Sequence, residues 1–165
     1  MLSFLKRRDD TGTSKPGRYM NTKGSARTMS QFALVHASEG KFTRPQRPSD
    51  PLKLMSGGHG QKGMDLLDKY GITYHIVKVY PNGVRVGNIS NHKDRRKRVG
   101  LNQSWFPASW NEKKIKRAGE HVAQLYRNRN APDGKVMFGT FKGVRVGVIK
   151  RNGQIATAFP DSFQP

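Results

Sequence analysis

Five letters that occur twice constrain this chain more than any other feature. Gly83-Val-Arg-Val-Gly87 recurs letter for letter as Gly143-Val-Arg-Val-Gly147, and each copy is followed two residues later by isoleucine, Ile89 and Ile149. β-Branched residues in alternation after a glycine turn describe the returning strand of a hairpin. The first copy returns from Ile72-Thr-Tyr-His-Ile-Val-Lys-Val-Tyr80 through Pro81-Asn-Gly83. The second lies between strand-like runs at 135–141 and 154–159, with Lys142-Gly143 and Asn152-Gly153 as the tight turns. Chance, shared hairpin chemistry and duplication of a β unit all account for the repetition. In each case antiparallel β-structure is expected in two blocks.

Between the blocks stands one amphipathic helix. Ser109-Trp-Asn-Glu112 has the capping-box spacing, with Ser109 as N-cap and Glu112 three residues on. The helix is expected to run to about Tyr126, with Ile115, Ala118, Val122 and Leu125 inward and Lys113, Lys114, Lys116 and Arg117 outward. A shorter helix is expected over 63–70, with Met64, Leu67 and Tyr70 on one side and Gly71 as its stop. The first 51 residues differ in character. They hold Gly, Ser, Thr and scattered cations, an apolar island at Phe32-Ala-Leu-Val35, and the prolines Pro45, Pro48 and Pro51, which oppose helix and central strand. Residues 1–51 therefore read as a basic, extended arm or linker, able to clamp RNA in one alternative, and 52–165 as the packed domain. A length of 165 residues with 34% apolar side chains and 18 glycines supplies one core.

Charge narrows the function. Lys and Arg number 31 against 11 Asp and Glu, a net +20, which calls for a polyanionic partner. No run of 18 apolar residues exists to span a membrane, and Met1–Leu5 is too short for a secretory h-region. The absence of cysteine removes disulfides, thiolate zinc sites and thiol nucleophiles. Carboxylates are sparse, and Asp65 and Asp68 are expected to face solvent, which disfavours a carboxylate-pair glycosidase or a magnesium site. The five histidines at 36, 59, 75, 92 and 121 show no metal-ligand spacing, so no metal or cofactor is expected.

Two histidines nevertheless stand where chemistry would put them. His59 lies in Ser56-Gly-Gly-His-Gly60, where glycines let the backbone approach a ligand; His92 lies at the mouth of the basic loop 93–98. His75 is expected to serve a strand and His121 a helix. Two histidines and a cation suffice to cut RNA. One imidazole takes the proton of the ribose 2′-OH, the other protonates the departing 5′-oxygen, and a Lys or Arg stabilises the phosphorane. The products are a 2′,3′-cyclic phosphate and a 5′-hydroxyl, and DNA cannot react by this route. Trp105 and Phe106, in Gln103-Ser-Trp-Phe-Pro107, and Phe159 offer stacking surfaces, a core role being the commoner fate of such rings.

Four segments in order, Ser56-Gly-Gly-His-Gly60, Asn91-His-Lys93, Ser104-Trp-Phe-Pro-Ala-Ser-Trp110 and Gly153-Gln-Ile-Ala-Thr-Ala-Phe-Pro160, make residues 56–163 resemble the bacterial EndoU-type nuclease domain. That domain ends polymorphic and contact-dependent toxins and is related to poly(U)-preferring and nidoviral uridylate-specific endoribonucleases. The resemblance implies an α+β fold of two small antiparallel β-sheets flanked by helices, with the active site in the groove between them. It implies His59 as general acid, His92 as general base, Thr157 lining a uracil pocket and Phe159, often Tyr in the family, stacking near the ribose. Two departures stand out. The histidines are usually closer than the 33 residues between 59 and 92, and the family lysine before Trp-Phe-Pro is Gln103 here. The cation must then come from Lys93, Lys97, Arg98 or Lys142.

The expected function is a metal-independent RNA endonuclease cutting 3′ of pyrimidines, uridine preferred, with tRNA among its candidate targets. It would be secreted or delivered to act in a target cell's cytoplasm, with an acidic immunity protein as its partner. The alternative is a non-catalytic basic RNA-binding or ribosome-associated protein, which leaves the glycine loop and the Thr157-x-Phe159 pattern without a task. A nuclease with a glutamate base lacks a suitable residue: Glu112 is read as a helix cap and Glu120 lies mid-helix.

Overall fold

The computed structural model describes residues 24–165. Helix α1 spans Gln31–Ser38, followed by β1 (Lys41–Phe42), β2 (Leu54–Ser56) and α2 (Gln61–Lys69). Strands β3 (Tyr74–Val79), β4 (Arg85–Ile89) and β5 (Gln103–Trp105) come next, then α3 (Glu112–Gln124), β6 (Val136–Phe141), β7 (Val144–Arg151) and β8 (Gln154–Pro160). The fold is α+β, with two three-stranded antiparallel sheets ordered β3-β4-β5 and β6-β7-β8 and a two-stranded ribbon β1-β2 that the sequence reading lacked. The repeated pentapeptide places residues on the central strand of both larger sheets, β4 and β7.

Its valines explain that placement. Val84, Val86, Val144 and Val146 are all at most 1% exposed and join one core with Phe106, Met137, Val148, Ala158 and the inner face of α3, Ile115, Ala118 and Val122. A strand between two neighbours has no free edge, and each buried valine contributes up to about 1.5–3 kcal/mol. The sheets meet at their turns: Asn82 Nδ2 donates to the Gly143 carbonyl at 3.1 Å. A second cluster, Leu54, Met64, Leu67, Ile72, Ile89 and Trp105, fills the space beneath α2.

Four expectations change. Residues 1–23 of the expected arm lie outside the described residues, but 24–51 are not a free extended arm. Ser30 caps α1 by accepting from the Ala33 N–H at 3.0 Å, and Met29, Ala33, Leu34 and Ala37 are buried, the first three in the main core. The apolar island is thus half of a core-facing helix. The capping box at Ser109 does not form. Asn111 is the N-cap, accepting from the Lys114 N–H at 2.9 Å, and Glu112 instead meets Lys62 at 2.9 Å. Trp105 does not offer its ring for stacking: it ends a strand in which Ser104 pairs opposite Val86, and its side chain is fully buried. The shorter helix begins two residues earlier, at Gln61, and ends as expected at Gly71 with φ +68°. No helix among the described residues is long and apolar enough to cross a membrane.

Candidate active site

The glycines before His59 serve a close approach of backbone to backbone. Gly57 and Gly58 adopt φ +70° and +75°, conformations that L side chains resist. The chain thereby turns back against the end of α1: the Gly58 N–H donates to the His36 carbonyl at 3.1 Å, His59 N–H to Ala37 at 2.6 Å and Gly60 N–H to Ser38 at 3.0 Å. A Cβ on Gly57 would lie 2.1 Å from the His36 oxygen and 3.1 Å from its ring carbon Cδ2. His36 and His59 are brought together by this ladder.

His59 is held on its other side by β5. Its carbonyl accepts from the Phe106 N–H at 2.7 Å, and its Nδ1 lies 2.7 Å from the Ser104 carbonyl. A carbonyl only accepts, so Nδ1 carries the proton and Nε2 keeps its lone pair. The Ser104 hydroxyl donates to the Pro160 carbonyl at 2.7 Å, which ties the first sheet to β8. On β8, the Phe159 ring sits 5.8 Å from the imidazole of His59. Thr157 lies two residues before it, on the same face by strand alternation. Its Oγ1 is buried without a hydrogen-bond partner among the described residues.

Burial dominates the electrostatics. It pushes the pKa of His59 down to about 3, aided by the charge of Lys97 and opposed by the bond to Ser104. His36, half-buried in the last turn of α1, is lowered by burial, then by Lys41 and Arg151. Lys97 is lowered by its own burial, and no carboxylate pairs with it among the described residues. Its charge is felt by both His59 and His92, so it is the cation that the fold brings to the histidines.

Of the other candidates, His92 lies within electrostatic reach of His59, while Lys142 and Trp105 stand apart from it. His92 is 1% exposed; its Nδ1 accepts from the Asp94 N–H at 2.8 Å and its Nε2 is buried without a partner. Burial, then Lys97, hold its pKa down to about 4. Arg98 donates Nε–H to the His92 carbonyl at 2.7 Å, a tie within the loop, while Lys93 is exposed. Lys142 sits at the β6–β7 turn near the Phe141 ring. It is five residues from Gly147, the partner of Phe159, or about 17 Å along the strand. Trp105 is fully buried and packs on Tyr74 at 5.8 Å, so it presents no ring to a ligand. Gln103 is also fully buried, its Nε2 within 3.5 Å of the Gly57 carbonyl beneath the histidine loop. The sequence reading missed His36. Its signals were Ser30 as a cap ahead of an apolar run, and a Gly-Gly pair that had to fit against some other segment.

The structure thus gathers around His59 the Phe159 ring and the charges of Lys97, His36 and His92, on an α+β scaffold. The family model described as Bacterial EndoU nuclease matches residues 30–162, and the chain belongs to that family. Membership makes the protein a nuclease with RNA as its substrate. The match opens at residue 30, so α1 and His36 lie within it. No curated protein and no solved structure gives a match.

Proposed function

We propose that the protein is a metal-independent endoribonuclease that cuts 3′ of pyrimidines, uridine preferred, leaving a 2′,3′-cyclic phosphate and a 5′-hydroxyl. The observation that carries this reading is the state of His59: neutral, locked in the Nδ1–H tautomer by Ser104, and within electrostatic reach of other histidines. A neutral imidazole with a free Nε2 is a proton acceptor. His59 therefore takes the 2′-OH proton as general base, rather than acting as the acid. His36 then protonates the leaving 5′-oxygen. Burial, Lys41 and Arg151 hold its pKa down in the free protein, while the last turn of α1 and an arriving phosphate act the other way and favour the imidazolium as substrate binds. This gives the second role to His36 instead of the enclosed His92. Lys97 faces the negative charge that develops on the phosphorane. Thr157 offers its hydroxyl and backbone to the pyrimidine edge, and Phe159 stacks on the base or ribose.

The decisive measurement is cleavage of a uridine-containing oligonucleotide in EDTA, with the product ends identified. His59→Ala and His36→Ala should each lower the rate about 10²–10⁴-fold. The double variant should be little worse, because residues acting as a unit are not additive. Full activity in His36→Ala, with loss in His92→Ala, would return the second role to His92. Purines at the cut position would remove Thr157 from the base pocket.

A nuclease of this kind endangers the cell that makes it. The reading therefore extends to a toxin delivered into the cytoplasm of a target cell, with tRNA among its candidate substrates, and to an acidic immunity protein that covers the groove. A net charge of +20 supports such a partner, whose association would slow as salt rises. Expression alone should arrest growth, and co-expression with the inhibitor should restore it. Harmless expression of a folded, RNA-cleaving protein would refute the toxin reading.

A further inference from the structure

The face of the second sheet that carries Thr157 and Phe159 continues past them. Gly147 on β7 lies directly opposite Phe159 on one side and Phe138 of β6 on the other. Directly paired residues share a face, so the two rings stand in one row across three strands, about 10 Å apart. Gly147 makes the row possible. A Cβ there would meet the Phe159 ring at 2.7 Å and the Val136 side chain at 3.1 Å.

Beyond Gly147 the row opens into a cavity of about 390 Å³ between β6 and the 127–132 segment. Phe138, Val136, Arg145, Arg127, Lys135 and Asn130 line it. The Arg145 guanidinium lies 4.2 Å over the Phe138 ring, presenting a flat cationic plate, and Asp161 holds its Nε at 2.7 Å. Arg127 donates to the Phe138 carbonyl at 3.1 Å, as does Asn128, so the wall is braced. Among the described residues, Arg127 and Lys135 have no carboxylate partner. No histidine or carboxylate lines the cavity, so it is equipped to bind and not to cut. Its volume is that of a small-ligand site. Guanidinium planes and aromatic rings hold unstacked bases, and free cations hold phosphates.

We infer that this cavity is a further nucleotide subsite, taking a nucleotide beyond the two that flank the cleaved bond. The base stacks on the Arg145–Phe138 plate, and the phosphate faces Arg127 and Lys135. The inference rests on the reading that the protein cuts RNA, and it concerns how the same substrate is held.

The experiment compares a uridine dinucleotide with trinucleotides extended by one residue at either the 5′ or the 3′ end. Wild-type kcat/KM should rise about tenfold on extension at one of the two ends, mainly through KM. Arg127→Gln/Lys135→Gln should abolish that rise while cutting the dinucleotide at the wild-type rate. Lys135→Gln alone, at a side chain that makes no hydrogen bond among the described residues, should halve or better the gain without any cost in folding. An unchanged gain in the double variant, no gain in the wild type, or an equal loss on the dinucleotide would each overturn the subsite. If no RNA is cut at any length, the nuclease reading fails instead. Binding of a 2′-deoxy trinucleotide against a dinucleotide then decides the subsite by itself: tighter trinucleotide binding lost in the double variant supports it, and equal binding overturns it.

Discussion

The two three-stranded sheets carry the same pentapeptide where their central strands begin and use it for different ends. In the first sheet, a Cβ on Gly87 would lie 1.7 Å from the His75 carbonyl oxygen, beside the irregularity in β3–β4 pairing between Ile76 and Lys78. That glycine serves backbone meeting backbone. In the second sheet, the same position, Gly147, leaves room for the ring of Phe159. The arginines divide in the same way. Arg85 points inward to Gln61 and the Phe106 carbonyl, bracing α2 and the segment after β5. Arg145 lies on the open face over Phe138. The first sheet is a support that positions His59 through Ser104; the second brings Phe159 against the same imidazole and, in the proposed function, meets the substrate. One pentapeptide encodes the return of a hairpin, and its neighbours decide what the hairpin does.

Aromatic substitutions should separate the sheets most clearly. Trp105→Ala empties a fully buried site and should cost about 3–5 kcal/mol of stability, read from urea unfolding. Phe159→Ala, at a partly exposed position, should cost under about 1 kcal/mol while lowering kcat/KM roughly tenfold. A Trp105→Ala protein of normal stability and weakened RNA binding would reverse the assignment.

The glycine pair gives the next effect in size. Gly87→Ala should destabilise by about 3 kcal/mol, because backbone cannot yield to the added Cβ without opening the β3–β4 pairing. Gly147→Ala should cost about 1 kcal/mol and appear mainly as lost activity, since a ring can swing aside from it. Equal losses of stability in both would mean that the sheets are used alike.

Acidity probes the residue that joins them. His59 is held near pKa 3, and His92 near 4, against about 6.5 in the unfolded chain. A lowered histidine pKa means that the unfolded chain takes up the proton first. Stability is therefore full above pH 6.5 and falls as the pH drops toward the folded values, by up to about 1.4 kcal/mol per pH unit from His59. Urea midpoints at pH 7, 6 and 5 measure this, and His59→Gln should flatten the slope. A profile that does not change in that variant would place the pH dependence elsewhere.

The smallest effect is expected on β3, where Ile76, Val77 and Val79 are exposed. Val77→Thr should change stability by no more than about 0.5 kcal/mol, whereas Val146→Thr, at a buried position on β7, should cost more than 1 kcal/mol.

Much of the scaffold is legible in the residues. The hairpins at Asn82-Gly83, Lys142-Gly143 and Asn152-Gly153 form where turn chemistry demands them, with Lys142 and Asn152 at φ +50° and +54°. The inward face of α3 is the one that its periodicity describes. Less legible was α1, because prolines and polar residues around the apolar island outweigh a cap and two turns of helix. Within the site, His59 and Phe159 come together, and both His36 and His92 add their charge to the field at His59. A basic loop marks His92 in the sequence, but in the folded chain the residue is only 1% exposed.

The division follows from range. Turns, strand alternation, helix faces and the +20 charge depend on residues within a few positions of one another, and for them the sequence alone was sufficient. The site depends on hydrogen bonds between segments far apart in the chain, from His36 to Gly58, His59 to Ser104 and Ser104 to Pro160. No local pattern records those partners, because each is a backbone carbonyl that any residue could supply. Only the packed structure decides which side chains surround His59, which imidazoles burial keeps neutral, and which ring is enclosed as Trp105 is or left partly exposed as Phe159 is.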